Sequence, residues 1–142
     1  MDLTENKQSL YRNKYFYLLA VIFFSVSSIS QEKNIVIKSA GSFDRNQLLY
    51  PDGNILNESE NKKVHLTHDN MDIFSKKSIF FQKRNSFIAT GNVQVKQGDS
   101  INLFCDSLNY DGLTRKFSSH GSVKFINDEM ELNSNVLFFD RN

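Results

Sequence analysis

Residues 89–110 of the chain, ATGNVQVKQGDSINLFCDSLNY, contain the pattern that decides its fold. Apolar and mostly polar side chains alternate on both sides of a turn at Gly98, with VQV before the turn and INL after it. Successive side chains of a β-strand point to opposite faces of its sheet. The alternation therefore predicts two antiparallel strands with one buried face and one solvated face.

A similar pattern recurs along the chain. Each copy has an apolar residue, an acid or amide, a second apolar residue, any residue and a small residue, and it closes on an apolar-x-aromatic group after a short gap. The closing aromatics follow one another at intervals of about 29 residues. The three copies are Met71–Ser75 with Ile79–Phe81, Ile101–Cys105 with Leu108–Tyr110, and Met130–Ser134 with Leu137–Phe139.

Repeats of this size cannot bury an apolar face alone, whereas stacked repeats share one core. A glycine stands shortly before Val93 and again before Val123, and we expect a bend or bulge at each, where the chain turns from one sheet toward the other. Asp111-Gly112 between alternating segments is a hairpin signal. The fold class predicted after residue 30 is all-β, a stacked antiparallel β-repeat without helical periodicity.

Residues 89–110 resemble the OstA-like N-terminal domain, also called the LptA-type or organic-solvent-tolerance family. The shared features are Gly-Asn-Val-x-Val, a Gln-Gly-Asp turn, an alternating strand and a closing Asp-x-Leu-x-Tyr. Residues 120–125 (HGSVKF) repeat the Gly-x-Val element, and residues 136–140 (VLFFD) repeat the closing element. The resemblance covers residues 64–142 well and residues 40–63 loosely.

This resemblance implies a twisted β-jellyroll whose two facing antiparallel sheets open along one edge into a groove. Members of the family lie in the periplasm of bacteria with an outer membrane and accept the acyl chains of lipopolysaccharide between the sheets. They also associate end to end into a bridge between the two membranes. The third repeat lacks its Gly-x-Val half, so a domain truncated at its C-terminus is one alternative for residues 64–142.

The alternation assigns a large apolar set, without acid or base, to the inner face. Each buried methylene contributes about 0.8 kcal/mol, so such a face suits a lipid acyl chain. The alternative is that the same side chains fill a closed sandwich core. The predicted groove lining is Ile73, Ile79, Phe81, Phe87, Val93, Val95, Ile101, Leu103, Leu108, Tyr110, Phe117, Val123, Phe125, Leu132, Leu137 and Phe139.

The beginning of the chain has the layout of a secretory signal peptide. A basic start is followed by the apolar run of residues 15–26 and then by serines, which predicts a signal over residues 1–30 and a periplasmic protein. A membrane-spanning helix needs about 20 apolar residues, so an inner-membrane anchor formed by residues 15–29 is the alternative. Residues 31–63 are predicted to hold the N-terminal strand or strands and a loop.

Several classes of function are disfavoured by the composition. The formal net charge is +1, from 17 Lys and Arg against 16 Asp and Glu, whereas a nucleic-acid partner requires a basic face. The single cysteine, Cys105, follows the inward alternation and is expected to act as a small apolar residue. His65 and His68 would point to opposite faces of a strand, which argues against a shared metal. No catalytic motif is present, and we expect neither an enzyme nor a cofactor.

A repeat that does not close into a barrel leaves unpaired strand edges. Residues 64–67 and Val136–Phe139 are the predicted edges, available to another copy or to a related envelope protein by end-to-end strand addition. Alternatively, the neighbouring charges Lys62, Lys63, Asp140 and Arg141 keep the chain monomeric.

The predicted function is a non-enzymatic lipid carrier or bridge module for lipopolysaccharide transport toward the outer membrane. The alternative is a structural β-repeat scaffold of the cell envelope that binds other proteins through its strand edges. Two basic pairs, Lys76-Lys77 and Lys83-Arg84, are either solvated turn ends or contacts for lipid phosphates.

Overall fold

The computed structural model describes residues 34–141, and the account below concerns these residues. The predicted all-β class is confirmed, whereas the predicted signal over residues 1–30 lies outside the described range. Within that range, no helix is long and apolar enough to cross a membrane. The elements are β1 (Val36–Ser39), β2 (Ser42–Asp44), β3 (Gly53–Asn57), β4 (Val64–His68), β5 (Met71–Ser75), β6 (Lys77–Phe81), a 3-10 turn (Gln82–Arg84), β7 (Ser86–Gln97), β8 (Ile101–Asp111), β9 (Lys116–Ile126) and β10 (Glu131–Asp140).

The strands form one continuous antiparallel sheet that folds over on itself. Strands β7 to β10 are long and pair in chain order. The first part of β7 pairs with β6, and its second part pairs with β5. Strands β3 and β2 extend the sheet beyond β6, and β4 and β1 extend it beyond β5. We call the part containing β2, β3 and β6 the A half and the part containing β1, β4 and β5 the B half, and each long strand runs through both.

The sheet bends where the pairing register shifts. In β7 the shift falls at Gly91 and Asn92, whose φ angles are 79° and 47°. In β9 it falls at Gly121 and Ser122, with φ angles of 76° and 44°. An extra residue in one strand bends the ladder, and glycine accepts the left-handed conformation most readily. The bends predicted before Val93 and Val123 are therefore confirmed, with nearly the same backbone geometry in both repeats.

Apolar side chains from the two halves meet in one buried cluster. Phe87 and Leu108 enter it from the A half, and Ile73, Leu103 and Val123 enter it from the B half, each no more than 2% exposed. Complete burial of one such side chain is worth about 1.5–3 kcal/mol, so this cluster is the main stabilising feature of the fold.

The expected facing of Ile79 and Phe81 is wrong. Directly paired residues of neighbouring strands share a face, and Phe80 pairs with the core residue Phe87. Ile79 and Phe81, one position to either side, consequently lie on the outer face, although both are buried. Phe80 and Tyr110 pair with Phe87 from its two sides.

The cause of this error is the length of the first repeat. The inner-facing residues of the first repeat lie one position earlier than the spacing of the closing aromatics predicts. Phe80, and not Phe81, therefore corresponds to Tyr110 of the second repeat. A shift of one position turns every side chain of a strand to the other face. The spacing of the two bend glycines, Gly91 and Gly121, gives the correct offset.

One of the two predicted edges is also wrong. Strand β1 pairs with β4, so residues 64–67 are covered rather than free. In the described part of the chain the outermost strands are β1 in the B half, β2 in the A half, and β10, which pairs with β9 at the other end. The edge predicted at Val136–Phe139 lies in β10, which pairs with β9 alone in the described sheet.

Candidate functional site

The structure divides the predicted lining residues into three groups. Ile79 and Phe81 form the first, on the outer face. The second lies at the margin of the inner cluster, where Ile101 and Leu137 are half-buried and Leu132 and Phe139 are exposed. The third is buried in the cluster and consists of Ile73, Phe87, Val93, Val95, Leu103, Leu108, Tyr110, Phe117, Val123 and Phe125.

The centre of the inner face is packed, because side chains of the N-terminal strands fill the space opposite β7 and β8. Leu56, Val64 and Leu66 have no exposed surface, and Met71 and Ala89 add to the same cluster. None of these five was among the predicted lining residues. The alternation of Val64 and Leu66 with His65 and Thr67 in the sequence could have predicted that Val64 and Leu66 are buried. Side chains of the protein itself therefore fill the centre of the inner face.

The inner face is uncovered at β10. The ring of Phe139 stacks with the rings of Phe117 and Phe125, with centroids 5.2 and 6.1 Å apart, yet its exposed fraction is 38%. Leu132, which pairs with Phe125, is 37% exposed. We call Leu132, Leu137 and Phe139 the apolar strip. The strip continues the core surface to the edge of the sheet, where it meets solvent.

A group of polar side chains ties the two halves together at one rim. The Nδ1 atom of His68, in the B half, lies 2.7 Å from the hydroxyl of Tyr110, in the A half. Arg141 donates to the same hydroxyl at 3.1 Å and to the carbonyl oxygen of Asp69 at 3.2 Å. Arg115 pairs with the Asp69 carboxylate at 2.8 Å. We call these five residues the polar bridge.

The polar bridge compensates the burial of Tyr110. Burial raises the pKa of Tyr110, while the charge and hydrogen bond of Arg141 oppose this rise. The phenol therefore stays protonated at neutral pH and can donate a hydrogen bond while accepting one from Arg141. A buried hydroxyl without partners would destabilise the fold, so these contacts help to hold the two halves closed.

The other candidate groups for chemistry lie apart from one another. His65 stacks on Phe74, bonds Asp72 at 2.7 Å and faces away from His68, as the alternation predicts. Across residues 34–141, no group of three or more His, Cys, Asp or Glu could hold a metal ion. Burial, with a smaller effect of Asp106, raises the pKa of Cys105 to about 12. This thiol is consequently protonated at neutral pH and a poor nucleophile.

Two comparisons with known proteins agree on this architecture. A family model described as OstA-like protein matches residues 32–142. The fold is similar to the crystal structure of LptH from Pseudomonas aeruginosa, described as the LptA homologous periplasmic component of the conserved lipopolysaccharide transport device. The TM-score is 0.64 at 12% sequence identity, with 78% of each chain covered. This likeness shows the shared fold. No curated protein matches the sequence significantly.

Proposed function

Because the chain belongs to the OstA-like protein family, we propose that it is a non-enzymatic carrier module that accepts the acyl chains of lipopolysaccharide or a similar lipid. The observation that carries this proposal is the apolar strip at β10. It is continuous with the inner cluster and open to solvent, with Leu132 and Phe139 each more than one-third exposed. A contiguous exposed apolar surface marks a site for a protein, membrane or ligand partner, and a lipid-binding protein needs such a surface.

The packed centre and the open edge suggest where a lipid would enter. An acyl chain laid along the apolar strip would cover Leu132, Leu137 and Phe139 without displacing any buried side chain. Each buried methylene contributes about 0.8 kcal/mol, so a chain of about a dozen carbons could bind without specific polar contacts. Deeper insertion between the halves would require the side chains around Leu103 and Phe125 to separate. We therefore place the first lipid contacts at β10.

The same edge supports end-to-end assembly. Strand β10 has an unpaired edge, and β1 and β2 have unpaired edges at the other end of the described sheet. The charges expected to protect β10 are engaged within the chain, since Arg141 belongs to the polar bridge and Asp140 pairs with Lys116 at 3.3 Å. We infer that β10 of one copy, or of a related envelope protein, pairs with β1 or β2 of the next by strand addition. Successive inner faces would then form a longer apolar path.

We also place the protein in the periplasm, exported through the signal predicted over residues 1–30. LptH is a periplasmic component of a lipopolysaccharide transport device, and a lipid carrier between two membranes would act in that compartment. If residues 15–29 remain attached, the module would instead be tethered to the inner membrane.

Site-specific photocrosslinking tests the carrier proposal, and β9 and β10 offer matched positions. Phe125 and Leu132 pair on the inner face, and their neighbours Lys124 and Asn133 pair on the outer face. A photoreactive amino acid would replace each residue in turn in cells that make lipopolysaccharide. The proposal predicts lipopolysaccharide adducts at the exposed position 132, adducts at position 125 only where an acyl chain enters between the halves, and background labelling at positions 124 and 133. Equal labelling of both faces, or protein adducts alone, would favour the envelope-scaffold alternative.

A further inference from the structure

The loop between β2 and β3 exposes two adjacent leucines. Leu48 is 96% exposed and Leu49 is 69% exposed. The Oδ1 atom of Asn46 accepts hydrogen bonds from the backbone N–H groups of Leu48 at 3.2 Å and Leu49 at 3.1 Å. These amides are already satisfied, so the loop offers a partner its side chains and not a strand edge.

The end of this loop is fixed to the outer face of the A half. The rings of Tyr50 and Phe81 meet edge to face with centroids 6.5 Å apart. The guanidinium carbon of Arg84 lies 4.1 Å from the centroid of the Phe81 ring. This stack explains how Phe81 is buried outside the inner cluster. It also holds Arg84 near the base of the loop that carries the leucines.

Basic side chains lie at the base of the loop that carries the leucines. Arg45, which donates to Asn54 at 3.1 Å, lines the same recess as Lys83. The side chain of Lys83 is 82% exposed and lies 3.5 Å from the carboxylate of Asp52. The other nearby acid, Asp44, accepts hydrogen bonds from Ser42 and Asn57 on the side of the strands. We call Arg45, Leu48, Leu49, Lys83 and Arg84 the docking rim, where cations outnumber acids around an apolar tip.

Ile35 is hydrogen-bonded to the residue that follows Arg84. The backbone N–H of Ile35 donates to the Oδ1 atom of Asn85, the residue after Arg84, at 2.8 Å. In the sequence, the apolar run of residues 15–26 ends only nine positions before Ile35. Nine extended residues span at most about 30 Å, which keeps this rim close to any bilayer that holds the apolar run.

We propose that the docking rim binds the surface of an anionic phospholipid bilayer. Leu48 and Leu49 enter the boundary between headgroups and acyl chains, while Arg45, Lys83 and Arg84 contact lipid phosphates. Two projecting apolar side chains flanked by cations suit a lipid surface better than they suit a flat protein edge. This inference does not depend on acyl chains binding to the inner face, because the docking rim lies on the outside of the sheet.

A fluorescent probe beside the leucines tests the proposal in the full chain. Gln47→Cys places a thiol at the exposed loop while keeping both leucines, and Asn61→Cys places one at the exposed turn between β3 and β4, away from the apolar strip. The buried Cys105 does not compete for labelling at neutral pH, because burial raises its pKa to about 12. Each labelled protein is mixed with vesicles of neutral phosphatidylcholine, alone or with anionic phosphatidylglycerol. An environment-sensitive fluorophore and nitroxide-labelled lipids then report insertion of the labelled segment itself.

The proposal predicts a blue shift and lipid quenching for the probe at position 47 on anionic vesicles, with little change at position 61. Adding Leu48→Ser and Leu49→Ser should lower vesicle affinity of the loop at least about tenfold, because two projecting apolar side chains are lost. Lys83→Gln should lower it about fivefold on anionic vesicles and leave binding to neutral vesicles unchanged. These variants alter exposed side chains, and circular dichroism would verify that the fold is intact.

Equal responses at positions 47 and 61 would overturn the proposal, since they would reflect nonspecific adsorption. A response at position 47 that rises with protein concentration in the absence of lipid would also overturn it and assign the loop to contact with a second copy. Failure of lipopolysaccharide crosslinking at positions 125 and 132 would leave this result unaffected, so the two proposals fail separately.

Discussion

Replacing Gly121 by alanine would test whether the sheet folds at the bulges. Gly121 has a φ of 76°, and an added Cβ would meet Asp106 of β8, with the Cβ and Cγ atoms of Asp106 each 2.9 Å away. The left-handed conformation costs an L-residue about 1–2 kcal/mol. Displacing the packed neighbour should add about 1–3 kcal/mol. We therefore expect Gly121→Ala to lower the free energy of unfolding by about 2–5 kcal/mol.

Gly98 is the matched control for this substitution. It also has a positive φ, 59°, but an added Cβ would meet no atom within 4 Å. Gly98→Ala should therefore lower the free energy of unfolding only by the cost of the left-handed backbone conformation, about 1–2 kcal/mol. Urea unfolding followed by circular dichroism measures both losses, and Asp106→Ala in the Gly121→Ala background should recover part of the larger one. Equal losses at the two glycines, or no recovery, would refute the close packing of β9 against β8 at the bend.

Three further predictions concern the core, the polar bridge and alkaline pH. Leu103→Ala should lower the free energy of unfolding by about 2–5 kcal/mol, against about 0.5 kcal/mol or less for the exposed Leu113→Ala; similar urea midpoints would contradict the assigned burial. Tyr110→Phe should lower the free energy of unfolding by about 1–3 kcal/mol in the same assay, because His68 and Arg141 lose a buried partner. An unchanged free energy of unfolding would show that the polar bridge does not stabilise the fold. Since burial raises the pKa of Cys105 from 9.0 to about 12, the unfolded chain releases this proton first, and the free energy of unfolding should fall as pH rises from 9 to 12. Urea titrations across this range should show a shallower fall for Cys105→Ala, and an unchanged slope would contradict the shift.

Alternation and glycine placement predicted most of the fold because both are local constraints. Val93, Val95, Leu103 and Phe125 all lie in the core, since strands that bury one face must alternate. The positions of the bends could also be predicted from the sequence, because few residues other than glycine accept a φ near 76°.

The errors arose where a single residue or a distant partner decides the outcome. The facing of Phe81 depends on the offset between the first two repeats, and the spacing of Phe81 and Tyr110 gives that offset one residue too short. The pairing of residues 64–67 depends on β1, which lies far upstream in a segment with little periodicity. Strand pairing is set by the whole sheet and not by the strand alone.

The candidate site shows the same limit. Leu103 and Leu132 occupy equivalent places in successive repeats, yet one is 1% exposed and the other is 37% exposed. The difference comes from their neighbours: β8 lies between two strands, whereas β10 has one in the described sheet. A sequence pattern identifies side chains that can be buried, but only the arrangement of strands determines which of them are left for a ligand.

The most direct test of the central claim uses the absence of tryptophan from this chain. Phe139→Trp and Phe138→Trp each introduce a single tryptophan at adjacent positions of β10, the first on the inner face and the second on the outer face, where Phe138 is 74% exposed. Lipid with a nitroxide on its acyl chain is then titrated into each protein. If the inner face receives acyl chains, emission at position 139 is quenched saturably and emission at position 138 is not. Equal quenching at both positions, or none at position 139, would contradict the claim that the inner face receives acyl chains.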